Sequence, residues 1–480
     1  MNHKLILRIL SRVALIEALL LAVSAGVGAM YGDALLIPYG VPVALLLILF
    51  LALSSVKPSS KDFFAREGFV SVALAWILMS LFGALPFTLG GAIPSYIDSV
   101  FETVSGFTTT GATLLTDVEA VPKGLLFWRS FTHWIGGMGV LVFLMSMANL
   151  AGNRSIHLLR AESPGPSVEK LTPRMRSTAA MLYLIYLVMT ILLIALLLAG
   201  GMELFDSVTN AFSIAGTGGF AVRNGGIAVY HSPYIENIMT TFMFLFGVNF
   251  TVYYLAITRR LKEALKSEEL RWYFIIFAAT TFAVAFNILP GCAGFLEALR
   301  LAAFQNASIM STTGFATTDF NFWPVFSHMI LLFLMFVGAS AGSTGGGFKV
   351  SRLVLVFKSI KREFSRMLHP HSVGRTTFDG KTVDTEMAHS VLVYLGAYVI
   401  IAICGMLILS LEKFDSLTHF SALMTTLNNV GPGLNLVGPM QNFSIYSPFS
   451  KVTMSVLMLI GRLEIFPILM LFAPSVWRRK

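Results

Sequence analysis

The sequence predicts an all-α integral membrane protein, an N-terminal helix pair followed by four parallel repeats, and three observations carry that prediction. The chain has 480 residues, 56% hydrophobic and only 12% charged, with a mean hydropathy of +0.76. It contains many apolar runs near the ~20 residues that a helix needs to cross the hydrocarbon. Lysine and arginine gather in six segments, 4–12, 57–66, 154–176, 259–271, 349–381 and 478–480, which hold 27 of the 34 basic residues. Such an excess marks cytoplasmic loops, so both termini are expected on that side and the chain must leave and return between consecutive segments. The third observation is that four of the five intervals share one internal order: an apolar run, a short stretch rich in Ser, Thr and Gly, and a second apolar run. Fixed order at a fixed scale marks an internal repeat.

Residues 1–60 form the helix pair. Their first apolar run is broken by Arg8, Arg12 and Glu17, and a second run follows at once beyond Tyr31–Tyr39, so the segment reads as a retained helix and not a cleaved signal peptide. The repeats are expected at 61–152, 177–260, 271–352 (ending in a glycine-rich tract) and 388–480. Their middles are FETVSGFTTTGATLL (101–115), TNAFSIAGTGGFAVR (209–223), FQNASIMSTTGFATT (304–318) and ALMTTLNNVGPGLNL (422–436). Each has a helix-compatible lead-in, two small or polar residues, and one glycine to superpose: Gly111, Gly219, Gly314 and Gly431. An acidic residue precedes each glycine, Asp98 and Asp206 by 13 residues, Glu297 by 17 and Asp415 by 16. Either the short helices of the second half are offset or longer, or the four acids are not equivalent.

These middles are too short and too polar to span. Non-helical backbone at membrane depth is tolerated only where it is buried in protein or lines a watery cavity. Four re-entrant segments converging on one axis can turn their carbonyls toward a dehydrated cation, as in a potassium filter, with glycine where φ is positive and where four backbones crowd together. The candidate ion-contacting residues are Thr109, Thr110 and Gly111; Thr217, Gly218 and Gly219; Thr312, Thr313 and Gly314; and Asn429, Val430 and Gly431. The fourth segment, NNVGPG, departs from the TTG type, so its part of the carbonyl ring is expected to be less regular.

Three further features bear on transport. The tract GASAGSTGGGFKVSR (338–352) carries five glycines within ten residues, Gly338, Gly342, Gly345, Gly346 and Gly347, which disfavours a continuous helix by roughly 1 kcal/mol per glycine relative to alanine. It differs from a phosphate-binding loop by one extra residue before Lys349 and by following an apolar run, so nucleotide binding there is discounted. Arg462 sits inside the last apolar run, where an arginine costs at least about 2.5 kcal/mol and faces a cavity or a partner; Glu464, two residues on, points to a different helix face. Lys349 reads as an interfacial anchor, His133 as packing, and His369 and His371 as part of a solvated loop. Cys292 and Cys404 are too isolated to form a disulfide framework or a metal site. No metalloprotease, nucleophile-elbow or paired-carboxylate pattern is present, so no enzyme is expected.

The four glycine segments, GASAGSTGGGFKVSR, GRLEIF (461–466) and LLRAESPGP (158–166) together resemble the TrkH/TrkG potassium-uptake proteins of the Trk/Ktr/HKT superfamily, over essentially the whole chain and with TrkH as the nearer type. That resemblance implies M1-P-M2 repeats around a pseudo-fourfold pore and a potassium filter at the residues above. It also implies an intramembrane gate formed by the glycine tract, taken together with Arg462. Further implied are a homodimer in the bacterial inner membrane, lipid contact, and a TrkA-type cytosolic ring that carries the regulatory nucleotide. No cofactor is expected in this chain, and nucleic acid is not a partner. The alternative to a gated pore is a proton- or sodium-coupled potassium symporter.

Overall fold

Among the described residues, six helices are each long and apolar enough to cross a membrane: His3–Met30, Leu36–Ser54, Arg66–Leu89, Ala180–Ala199, Glu268–Gly291 and Met387–Leu409. The first two are the N-terminal pair, and the other four each open one repeat. The structure, a computed structural model, describes residues 1–34, 36–56, 65–151, 175–369, 377–383 and 385–477. The basic stretches 57–64, 154–174 and 478–480, with LLRAESPGP (158–166) and His371, lie outside the described residues.

The pair is α1 (His3–Met30) and α2 (Leu36–Ser54). Repeat 1 is α3 (Ala65–Gly83), α4 (Tyr96–Phe107) and α5 (Lys123–Ala151); repeat 2 is α6 (Met175–Ala199), α7 (Leu204–Gly216), α8 (Pro233–Phe246) and α9 (Phe250–Ile257). Repeat 3 is α10 (Glu268–Ile288), α11 (Phe295–Met310), α12 (Val325–Val337) and α13 (Val350–Leu368); repeat 4 is α14 (Thr385–Leu409), α15 (Ser416–Asn428), α16 (Pro448–Arg462) and α17 (Phe466–Phe472). This is the M1-P-M2 order four times over. One small antiparallel hairpin, Thr377–Phe378 with Lys381–Thr382, was not legible in the sequence.

Local chemistry sets the starts of these helices. Ser95 caps α4 by accepting the Asp98 N–H, and Asp415 caps α15 by accepting the Thr418 N–H. Asp98, Asp206 and Glu297 each occupy the third position of their short helix, where a carboxylate complements the partial positive charge of the N-terminus. The uneven spacing of the acids has two causes. The third short helix is longer, 16 residues against 12 and 13, and in repeat 4 the acid is the cap itself. The pair docks on repeat 1 through Tyr39, whose hydroxyl donates to the Gly124 carbonyl (2.9 Å), and Asp33, which accepts the Gly124 N–H (2.7 Å).

The second run is a plain span in none of the four repeats, as the glycine tract led one to expect only for the third. Helix α5 has a non-helical residue at Met138 (φ −125°, ψ 15°). Helices α8 and α9 are bent by 93° at Gly247–Asn249. Helix α12 stops at Val337 and resumes as α13 only at Val350, and α16 stops at Arg462, followed by Glu464 and Ile465 at φ 58° and 66°. The glycine tract is thus the longest of four interruptions.

Candidate functional site

Backbone buried inside a membrane protein must pair its own N–H groups, and the four chain reversals do so with the same bond. The residue before each superposed glycine donates its N–H to the carbonyl five residues back: Thr110 to Ser105 (2.8 Å), Gly218 to Ser213 (2.8 Å), Thr313 to Ser308 (2.8 Å) and Val430 to Thr425 (2.9 Å). Backbone hand then alternates. φ is positive at Thr109 (54°), Thr217 (57°), Thr312 (61°) and Asn429 (56°), not at the next residue, and positive again at Gly111 (80°), Gly219 (75°), Gly314 (87°) and Gly431 (106°).

The segments meet in chain order. A Cβ placed on Gly111 would overlap the Gly218 carbonyl oxygen, one on Gly219 the Thr313 oxygen, and one on Gly314 the Val430 oxygen; on Gly431 it would stand 2.8 Å from the Thr110 oxygen. The fourth segment therefore closes on the first, and the structure brings together all twelve residues singled out from sequence. The fourth segment is not irregular in its backbone: it repeats the hydrogen bond and the φ pattern of the others. Asparagine suits the left-handed position better than threonine does, and Asn429 adds a link to repeat 1, donating to Thr110 Oγ1 and to the Met458 carbonyl at 2.9 Å each.

On one side of the ring the four glycines line a cavity of about 160 Å³, with Thr113, Phe220, Ala221 and Pro432 among its other walls. Arg223 on its rim is matched by Asp206 at 2.9 Å. Asp117, in the loop beside it, accepts from Asn224 (2.8 Å); that amide and the backbone N–H of Ala120 hold its carboxyl below the usual carboxylate range. On the other side the C-termini of α4, α7, α11 and α15 end within four residues of the glycines, and the partial negative charge of helix C-termini favours cations. Among the described residues no group of three His, Cys, Asp or Glu is placed to hold a metal ion.

The glycine tract packs against these helix ends. Gly346 donates its N–H to Thr312 Oγ1 (2.6 Å) and Gly347 to the Asn428 carbonyl (3.0 Å). A Cβ on Gly345 would come 2.7 Å from the Ser311 carbonyl, and one on Gly346 would overlap that of Asn428. Gly338, Gly342 and Gly347 have positive φ. Arg462 reaches across repeats, donating to the carbonyls of Thr344 (2.7 Å), Gly136 (2.5 Å) and Gly137 (3.2 Å). It ties α16 to the tract and to the kink of α5. Glu464 pairs instead with Arg352, whose guanidinium lies 4.0 Å over Tyr394. Lys349 is no interfacial anchor: it is buried and bonds the Gly345 carbonyl. His133 is packing, buried and stacked on Phe220 at 4.1 Å between ring centroids.

Sequence reasoning missed two buried carboxylates. Glu269, in the first turn of α10, accepts on Oε1 the N–H groups of Ala341 (2.7 Å) and Ser351 (3.2 Å), one at each end of the tract. Glu102 on α4 pairs with Arg129 on α5 at 2.7 Å. A signal for the second existed: an acid inside the polar lead-in of a re-entrant segment. A further signal was the hydroxyl residue six positions before each glycine, Ser105, Ser213, Ser308 and Thr425, whose carbonyl anchors the reversal.

Comparison with known proteins bears on this geometry. The family profile "TrkH: Cation transport protein" matches residues 43–479. The chain is 35% identical over 421 residues to the Trk system potassium uptake protein TrkH of Escherichia coli K12, covering 86% of each. It is 33% identical to the protein of the same description from Halomonas elongata, covering 100% of each. The crystal structure of the potassium transporter TrkH from Vibrio parahaemolyticus superposes with a TM-score of 0.90 at 31% identity, covering 100% of both chains.

The double contact of Glu269 predicts a local effect. Glu269→Ala leaves two buried N–H groups unpaired, at about 1–3 kcal/mol each, so peptides spanning 338–351 should exchange amide hydrogen faster while the N-terminal pair keeps its protection. Unchanged exchange across the tract would show that the carboxylate does not hold it.

Proposed function

The chain belongs to the TrkH family of cation transport proteins, a transport family and not an enzyme family, and on that premise we propose that it takes up potassium across a membrane through the glycine ring. The carrying observation is the cyclic contact of Gly111, Gly219, Gly314 and Gly431 with the carbonyls of the neighbouring segments. Residues Thr109–Gly111, Thr217–Gly219, Thr312–Gly314 and Asn429–Gly431 supply oxygens in place of the ion's water, the means by which backbone filters bind potassium. The potassium-uptake descriptions of the relatives support the choice of ion. An inside-negative potential contributes about 2.3 kcal/mol per charge per 100 mV, enough for roughly fiftyfold accumulation without proton or sodium coupling.

The glycine tract is the gate, and Arg462 is its staple. The tract lies directly under Thr312 and Asn428, and Arg462 holds it to α5 and α16. The proposed assembly is a homodimer in the bacterial inner membrane, both termini cytoplasmic, opened by a nucleotide-binding TrkA-type ring. Helix α13 is the handle for that ring. It continues the tract, and it exposes Phe357, Ile360, Phe364 and Met367 on one stripe beside Lys361, Arg362 and Arg366. Lys358 on the same helix is held inward by Glu268 (2.5 Å) and the Thr377 carbonyl (2.6 Å), whereas Arg366, in an i,i+3 pair with Glu363 (2.8 Å), is 68% exposed and accessible to a partner.

Three measurements test this reading. In Gly314→Ser the new side chain meets the Val430 carbonyl at a left-handed φ of +87°, so potassium uptake should fall or sodium should begin to compete; wild-type selectivity would sink the shared ring. Arg462→Ala, or a tract shortened between Gly342 and Gly347, should raise open probability or conductance in single-channel recordings, and unchanged records would remove both from the barrier. Neutralising Lys361, Arg362 and Arg366 together should weaken ring binding and blunt the nucleotide response. If both stay as in wild type, the docking surface lies elsewhere.

A further inference from the structure

We propose that the buried ion pair of Arg129 and Glu102 braces the first and second segments just beyond their ring glycines and so sets the preference for potassium over sodium. The inference rests on the glycine ring being the ion filter. Both side chains are almost wholly enclosed, Arg129 2% and Glu102 0% exposed, with Nε 2.7 Å from Oε1. Replacing a buried ion pair with apolar residues is often neutral or stabilising, so stability is a weak account of this one. Its contacts give a better account.

Glu102 Oε1 also accepts from Thr113 Oγ1 (2.8 Å), and Oε2 accepts the Leu114 N–H (2.8 Å), two and three residues past Gly111. Arg129 Nη1 donates to the Ala221 carbonyl (2.9 Å), two residues past Gly219, and its guanidinium lies 3.5 Å over the ring of Phe220. The imidazole of His133 stacks on the same ring. One pair therefore holds the outward continuation of two adjacent segments, with α4 and α5 as its rigid supports.

Among the described residues this brace has no counterpart at the same position in the other repeats. Nine residues before the ring glycine stand Glu102, Asn210, Gln305 and Ala422. Asn210 turns to Tyr230 (3.4 Å) and Met202, Gln305 makes one long contact to the Phe315 carbonyl (3.5 Å), and Ala422 has no polar group. Charge-assisted bonds are about twice as strong as neutral ones, so this pair stiffens the first and second segments just past their glycines. A carbonyl ring that cannot draw inward coordinates a smaller ion poorly, and loosening this side removes that penalty for sodium.

The test is uptake of potassium and sodium by cells lacking their own potassium uptake, with membrane protein quantified. Glu102→Gln removes the charge, and Arg129→Lys keeps a charge but loses the fork; each should raise the sodium-to-potassium ratio several-fold. Thr113→Val removes one donor to Glu102 with little change of shape and should give a smaller rise. Wild-type ratios in the folded variants overturn the proposal. If Glu102→Gln and Arg129→Lys fail to fold while Thr113→Val keeps the wild-type ratio, the pair is structural only, which also overturns it. Gly314→Ser in the same cells separates the two readings: if it shifts the ratio and the pair variants do not, only this inference falls, and if it too is unchanged, the ring reading falls with it.

Discussion

Everything in this structure follows from one requirement, that a chain turning back inside the protein must pair its peptide groups without water. The solution is a single hydrogen bond, from the residue before each ring glycine to the carbonyl five residues back, used in all four repeats. It tightens the end of each short helix, forces the following residues into alternating hand, and leaves a glycine where the next segment's carbonyl arrives. Because each turn leans on its neighbour, no segment can hold its conformation alone. The ring is a property of four repeats together.

The level beneath the ring is organised by a second consequence of crowding. The inner helices must pass close under the short-helix ends, and each is interrupted there: α5 at Met138, α8 at Gly247, α12 at Gly338 and α16 beyond Arg462. Only in repeat 3 does the interruption become a loop of several residues. The groups it frees are taken up by Glu269, Thr312 and Lys349 of the same repeat and by Arg462 of the fourth. The backbone skeleton is nearly fourfold, but its side-chain supports are not, since buried charges cluster on repeat 1 and around the tract. Such charges are tolerable at this depth only when paired or bonded.

Much of this was legible in the sequence. The four glycines and the glycine tract could be read because positive φ and close backbone approach demand one residue type, and the parallel order of the repeats because basic residues mark the cytoplasmic loops. The Asn429 departure was legible as a difference but not in its meaning. Left-handed backbone accepts asparagine, so the change preserved the geometry it was expected to disturb. Arg462 was legible as a charge in apolar surroundings and Lys349 was misread as an interfacial anchor, because their acceptors, the carbonyls of Thr344, Gly136, Gly137 and Gly345, carry no sequence signature at all.

By itself the sequence determined the membrane class, the helix pair, the number and order of the repeats, and which residues crowd one axis, because hydropathy, basic residues and glycine record local constraints. Only the tertiary structure decided which carbonyl each glycine faces, where the four inner helices break, that Arg462 binds backbone from two other repeats, and that Glu102 finds Arg129 on the following helix. Those are contacts between residues from 27 to more than 300 positions apart. Their energies depend on distance in space, and spacing along a chain does not encode that until the chain has closed on itself.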